Sequence, residues 1–223
     1  MTDLARARRY DAWFEAGWGA YAFGVERAAL RAALGPLEGL TALEVGCGTG
    51  RFTAELERAG ARVVGLDPDP ASLALAASRV EGPLLRGDAH RLPLPDRAVD
   101  LVVTVTATEF LADPVTALTE AVRVTRSGGR VAVAALNPAS PWGLAHRRRL
   151  RRPPWDQACL RTPGELDALL GQVPGVAPRV AAGVLHAPAA LPGLHRWGAW
   201  LERVGGRVAP RRGAFQIRVL TVG

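Results

Sequence analysis

Apolar and polar positions alternate along this chain in two rhythms. Between residues 8 and 34, Phe23, Leu30 and Leu34 fall on one helical face with Glu26, Arg27 and Arg31 around them, and Gly35-Pro36 ends the element. From Leu40 onward, short apolar runs alternate with helical stretches. The runs at Thr41–Val45, 62–66, 83–86, Val99–Val105 and 130–136 read as strands. The fourth is apolar at nearly every position, as a strand covered on both faces should be. The stretches from the glycine-rich turn to Ala59, at 70–80 and at 114–125 read as helices, and Ser127-Gly128-Gly129 turns the chain into the fifth strand. This β-α alternation predicts an α/β fold, a Rossmann-like doubly wound sheet.

The last third is less regular. Residues 137–161 contain Pro138, Pro141, Pro153 and Pro154 and read as a loop or lid. Thr162-Pro163-Gly164-Glu165 has the spacing of a capped helix start. Strands are expected at 180–186 and Phe215–Val222, with a helix near 194–204 between them. A chain of 223 residues, 48% hydrophobic and 22% charged, suits one globular domain. Its expected parts are an N-terminal helical cap (1–39), a core (40–136), a lid-like loop (137–161) and a C-terminal part (162–223). No run reaches the length of a membrane span, and the N-terminus lacks the apolar centre of a secretory signal, so the expected location is cytoplasmic. Cys47 and Cys159 form no ligand-spaced cluster, and no metal site is predicted.

Charge is unevenly placed. Residues 1–138 hold 15 Arg against 17 acids, whereas residues 139–223 hold 13 Arg against four. Every basic residue except histidine is Arg, because Lys is absent. The run His146-Arg147-Arg148-Arg149-Leu150-Arg151-Arg152 lies in the lid-like loop, flanked by Trp142 and Trp155. It is either a solvated face or a surface for an anionic group, since Arg forks suit carboxylate and phosphate. His90 and His195 are expected at the surface, and His146 and His186 nearer the acceptor side.

Candidate chemistry begins at Leu43-Glu44-Val45-Gly46-Cys47-Gly48-Thr49-Gly50, directly after a strand and before a helix. Glycines at such a turn let the backbone approach a ligand. The spacing Gly46-x-Gly48-x-Gly50 departs from the Gly-x-Gly-x-x-Gly of nicotinamide sites. Asp67 ends the second strand, where an acid can accept from both hydroxyls of a ribose. Asp88 follows the third strand, and its carboxylate with adjacent backbone can read an adenine edge. Val99–Val105 leads to the open end of the fourth strand.

Together these segments resemble the successive motifs of class I S-adenosylmethionine-dependent methyltransferases. The nearest likeness is to the ubiquinone and menaquinone biosynthesis C-methyltransferase-like branch, also called methyltransferase type 11. The likeness is close over residues 40–136 and looser at Tyr10-Asp11-Ala12-Trp13-Phe14 and the C-terminal strands. It implies a seven-stranded, mostly parallel sheet with an antiparallel last strand, and helices on both faces. It also implies S-adenosylmethionine as cofactor. Glu44, Gly46 and Gly48 would then meet its methionine part, Asp67 the ribose, and Asp88 with Ala89 the adenine, and Cys47 and Pro68 would also be cofactor-binding. Val105 would offer backbone near the amine, and Tyr10 would cover the whole.

Many relatives carry a histidine after the fourth strand, and this chain reads Thr106-Ala107-Thr108-Glu109-Phe110 there. Glu109 is therefore the candidate base, against a solvated acid at a helix start. The implied partner is a small-molecule methyl acceptor, anionic with an apolar part. A nucleic-acid methyltransferase, a nicotinamide oxidoreductase and a non-catalytic cofactor-binding protein are the rival readings. Nucleic acid is disfavoured because no Asn/Asp-Pro-Pro-Tyr/Phe tetrapeptide occurs. The oligomeric state is not encoded in any pattern found.

Overall fold

A computed structural model describes residues 3–148, 155–184 and 212–223. Seven strands form one sheet in the order β3-β2-β1-β4-β5-β7-β6. They are β1 (Thr41–Val45), β2 (Arg62–Asp67), β3 (Leu84–Arg86), β4 (Val99–Val105), β5 (Thr125–Leu136), β6 (Val176–Val184) and β7 (Phe215–Val222). All pairs from β3 to β5 are parallel, whereas β7 runs antiparallel to both β5 and β6. The expected α/β sheet with its antiparallel last strand is thus present. β1 has β2 on one side and β4 on the other, which makes the ends of β1 and β4 the topological switch point.

Both faces of the sheet are covered. On one, Leu43, Val102 and Val133 meet Leu118 of α5 (Pro114–Val124) and Leu166 of α7 (Pro163–Leu170). On the other, Val63, Leu101, Val103 and Ile217 meet Leu30 and Leu34 of α2 (Gly17–Leu34) and Leu56 of α3 (Arg51–Arg58). Among the described residues no helix is long and apolar enough to cross a membrane.

One local device starts four helices. Asp69, Asp113, Ser140 and Thr162 each occupy an N-cap, accept a backbone N–H with the side chain, and are followed by proline in the first turn. The cap satisfies one orphan donor, and proline contributes a φ already set for helix without a wasted N–H. At α7 the box is reciprocal: Thr162 N donates to Glu165 Oε2 at 2.8 Å, while Glu165 N donates to Thr162 Oγ1 at 3.4 Å.

Several sequence expectations are corrected. The helix read over 8–34 is two helices, α1 (Asp3–Trp13) and α2, separated at 14–16. Gly17 adopts φ 57°, and Phe14 is buried in edge-to-face contact with Tyr10, Trp13 and Phe23. Burying that aromatic turn outweighs a continuous helix. The helix read at 70–80 ends at Ala76 as α4 (Pro70–Ala76). β5 starts at Thr125 rather than Arg130, with a register shift in its pairing where Ser127-Gly128-Gly129 lies. The lid-like segment contains a helix, α6 (Pro141–His146), and a 3-10 turn at Trp155–Gln157. β6 precedes its expected position, and Pro178 is tolerated because β6 is the sheet edge. His186, His195, the helix near 194–204 and Arg149, Arg151 and Arg152 lie outside the described residues.

The α7 box yields a stability prediction. Thr162→Ala should lower unfolding stability by about 1 kcal/mol, measured by urea denaturation. Thr162→Ser should retain most of it. Equal losses in both variants would mean that the hydroxyl cap is not the cause.

Candidate functional site

The site is built at the ends of β1 and β2. Gly46 N and Cys47 N both donate to Leu66 O, at 2.8 and 3.0 Å, so the loop leaving β1 folds toward β2. Gly46, Gly48 and Gly50 all have positive φ, at 76°, 52° and 77°. Gly46 is doubly constrained, since a side chain there would collide with the Ala107 methyl group. Gly48 is different: its backbone faces open space in which a β-carbon would meet nothing. A glycine that is left-handed and uncovered presents bare main chain to the cleft.

Asp67 holds this loop in place. Its Oδ2 accepts Gly48 N at 2.8 Å and its Oδ1 accepts Asp69 N at 2.9 Å. Burial pushes this carboxyl up from the ordinary range, while the two backbone donors pull it down. Each oxygen keeps a further acceptor site, which suits the paired hydroxyls of a ribose. Pro68 follows directly and offers its carbonyl to Arg86 Nε at 3.3 Å.

Glu44 lies on β1 at 1% exposure, with its carboxyl bonded by the Thr53 hydroxyl of α3. Burial pushes it up to about 8, reinforced by Asp67 and opposed by Thr53. Without a cation nearby, Glu44 therefore carries a proton at neutral pH, and an adjacent cation would favour the ionised form. Cys47 is buried with its thiol also pushed up, first by burial and then by Glu44 and Asp67, which leaves it unreactive.

Tyr10 of α1 joins the acids. Its ring is 42% exposed, yet its hydroxyl is raised above the usual phenol range by burial, then by Glu26, Glu44 and Asp67. The expected cover residue thus feels the charge of the expected cofactor acids.

Farther along, Ala89 and Val105 are buried. Asp88 is 69% exposed, and its Oδ1 accepts His90 N at 2.9 Å and faces His90 Nδ1 at 2.6 Å. Those bonds hold its carboxyl below the usual range. His90 is no bare surface residue: Nε2 accepts Asp113 N at 3.2 Å, so the ring ties the turn after β3 to the start of α5. With Nε2 accepting, the proton is assigned to Nδ1.

Glu109 corrects the picture of a solvated acid. It is 2% exposed, with Oε1 accepting Leu136 N at 2.9 Å and Oε2 accepting the Thr108 hydroxyl at 3.1 Å. Its carbonyl accepts Cys159 N at 2.7 Å. Burial pushes the carboxyl up. The residue ties the turn after β4 to the end of β5 and to the segment entering α7, and this placement does not favour a base open to an acceptor. Trp142 packs against the core, with His146 stacked on it at 4.9 Å and bonded to its carbonyl at 2.9 Å. Trp155 lies 5.9 Å from Phe110, which is exposed. Arg147 and Arg148 are exposed.

Sequence reasoning missed the residues that fasten α1. Asp11 Oδ1 accepts the Thr49 hydroxyl at 2.7 Å and Arg51 Nε at 2.8 Å, and its Oδ2 pairs with Arg79 Nη2 at 2.9 Å. These contacts span 38 to 68 residues. No local pattern announces them, although Asp11 adjoins Tyr10 and Arg51 follows the last loop glycine. Among the described residues no group of three or more His, Cys, Asp or Glu could hold a metal ion.

The residues present fit an adenosyl cofactor with a methionine tail. The bare Gly48 backbone leaves room for close approach, Asp67 has spare acceptor capacity, and the buried Glu44 complements a cation.

Comparison with known proteins agrees. Residues 43–133 match a family described as "Methyltransferase domain". A malonyl-[acyl-carrier protein] O-methyltransferase of Yersinia pestis is 37% identical over 103 residues, 46% of this chain and 39% of that protein. A demethylmenaquinone methyltransferase of Mycolicibacterium paratuberculosis is 39% identical over 114 residues, 51% of this chain and 49% of that protein. The matches thus span less than half of these relatives' own lengths. The solved structure of an SAM-dependent methyltransferase from Thermotoga maritima, a possible histamine N-methyltransferase, superposes with TM-score 0.76 at 23% identity, covering 99% of this chain and 98% of the other. Residues 43–133 therefore match the methyltransferase-domain family, and the chain shares its fold with solved S-adenosylmethionine-dependent methyltransferases.

Proposed function

We propose that this chain transfers a methyl group from S-adenosylmethionine to a small-molecule acceptor. The observation that carries the reading is the open Gly48 backbone flanked by Asp67 and Glu44 at the switch point of the sheet. When bound, the sulfonium supplies a methyl group that is already electrophilic, so positioning and water exclusion do most of the catalytic work. Asp67 would orient the ribose, Glu44 would balance the cationic methionine end, and Tyr10 would close one wall. Asp88 with Ala89, and the backbone at Val105, would complete the adenine and amine contacts. A general base is required only if the acceptor must lose a proton. This fits an arrangement in which Glu109 serves structure.

The acceptor is read as anionic with an apolar part. Arg147 and Arg148 follow α6 on the strand-end side of the sheet, and the exposed Phe110 lies beside Trp155. Guanidinium forks suit carboxylate or phosphate, and the aromatic pair suits an apolar body.

Titration calorimetry should register S-adenosylmethionine or S-adenosylhomocysteine, with NAD much weaker. Asp67→Ala should cost about 1–3 kcal/mol of that affinity, the range for leaving buried polar groups unpaired. Tight NAD binding without a response to the sulfonium cofactor would sink the reading.

Glu44 gives a pH prediction. Its ordinary value is 4.5 and its value in the ligand-free fold is about 8. Within that window the folded chain keeps a proton that the unfolded chain has lost, so the group lowers stability as pH rises toward 8. Glu44→Gln should therefore raise the ligand-free melting temperature more at pH 8 than at pH 5, while weakening cofactor binding. Equal changes at both pH values would show that Glu44 is already ionised in the fold.

Replacing Arg147 and Arg148 by Gln should raise the acceptor KM and leave cofactor affinity unchanged. If every kinetic parameter stays constant, the pair is only a solvated face.

A further inference from the structure

The attachment of α1 is unusual in kind. Of its eleven residues only Ala7 is buried and only Asp11 half-buried; the other nine, including Leu4, Tyr10 and Trp13, are exposed. So little apolar surface cannot hold a helix in one place, because segments with few buried apolar contacts open at low free-energy cost. Beside its packing on α4 and the ring contacts of Tyr10 and Trp13 with Phe14, what fastens α1 is polar. Asp11 accepts the Thr49 hydroxyl and Arg51 Nε with one oxygen and pairs with Arg79 through the other. Arg51 Nη2 also donates to the Asp11 carbonyl at 2.9 Å, and Arg79 Nη1 donates to the carbonyl of Thr49. The three ion-paired side chains are partly buried, with 11–23% of each exposed. Charged pairs shielded to this degree are screened less than surface pairs.

Two further facts give these contacts direction. Thr49 belongs to the glycine loop itself, between Gly48 and Gly50, so the clamp grips the segment that faces the cofactor cleft. Tyr10 is the residue before Asp11, so whatever fixes Asp11 on the loop also fixes Tyr10. At this same C-terminal end of α1, the turn at 14–16 is anchored by Phe14, which stacks edge-to-face on Phe23 at 5.7 Å and lies under the Arg51 guanidinium at 5.1 Å. Gly17 supplies the left-handed turn between α1 and α2. The C-terminal end of the helix is thus held twice, by the packed aromatic turn and by the ionic fastening at Asp11.

We propose that Asp11 is a positioning residue that latches α1, and Tyr10 with it, over the glycine loop, so that the cofactor is released when the Asp11 contacts to Thr49, Arg51 and Arg79 open. The proposal rests on the methyltransferase reading for the identity of the ligand, but the latch itself does not. Cofactor bound against the loop and α1 closed over it would stabilise each other, since coupling between two events is reciprocal. Breaking the latch should act on dissociation more than on association, as most changes within one interface do.

Two measurements on the full chain separate the parts. The first is amide hydrogen exchange on ligand-free protein. Asp11→Asn should speed exchange within α1 by roughly tenfold or more and leave β4 and α5 unchanged. Unchanged α1 exchange would overturn the latch, whatever the ligand. The second is stopped-flow dissociation of S-adenosylhomocysteine. Asp11→Asn and Arg79→Gln should each raise the dissociation rate by roughly tenfold to a hundredfold, the range for losing hydrogen bonds to a charged group, with a much smaller change in association. The double variant should gain less than the product of the two, because both remove one network. A faster-exchanging α1 with an unchanged dissociation rate would overturn the gating role. If wild-type protein binds no S-adenosylhomocysteine, the cofactor reading and the gate fall together, and the exchange result still decides whether Asp11 clamps the helix. Should Asp11→Asn fail to fold, Arg79→Gln decides both arms.

Discussion

Two hydrogen bonds to the Asp67 carboxylate organise the site. One comes from the glycine loop at Gly48, the other from the next turn of its own strand at Asp69. A loop containing three left-handed glycines has many alternative paths, and backbone freedom of that kind is costly to remove. Asp67 removes it by binding Gly48 N directly, while Leu66 O takes the two preceding amides. The bare face of Gly48 is consequently a fixed surface. Because Asp67 is the last residue of β2 and Glu44 the fourth of β1, the parallel register of those strands sets the spacing of the two acids.

That arrangement concentrates acids where burial penalises them. Glu44, Asp67 and Tyr10 all have values raised from their ordinary ranges, and burial is the first cause for each. Acids whose charged forms are penalised by burial are poised for a cationic ligand, which would supply an opposite charge nearby. Elsewhere the protein treats buried acids differently. Asp11 is met by two guanidinium groups that hold it at about 2. Asp11 thus finds its counter-charge within the fold, whereas Glu44 and Asp67 stay raised by burial.

Much of this could be read from the chain. Strands β1, β4 and β7 fall where the apolar runs placed them, because a strand covered on both faces leaves an unmistakable run of apolar residues. The Thr162 cap, the glycine loop and Asp67 were legible because each is a local pattern with one physical purpose. What escaped was long-range. The break between α1 and α2 depends on Phe14 finding Phe23, and periodicity alone favours one helix. Glu109 looked like a helix-start acid because nothing nearby reveals that Leu136 N, 27 residues on, would bind its carboxyl. Pro141 looked like a breaker in a proline-rich loop, yet after the Ser140 cap it starts α6.

The cofactor side and the acceptor side are joined at one point of contact. Thr106 bends with φ 48° just after β4, its N–H donating to Ala134 O at 2.8 Å, and brings Ala107 against Gly46. The turn that leads to Glu109 and Phe110 therefore bears on the first glycine of the loop. No side chain at Gly46 can fit that contact, so the glycine is required by the turn after β4 as well as by its own loop. Glu109 stiffens the same turn by tying it to β5 and to the approach to α7. In a reaction governed by the alignment of donor and acceptor, rigidity between the two half-sites matters more than an added proton carrier. A buried carboxylate that fixes the turn can therefore influence the chemistry without touching either reactant.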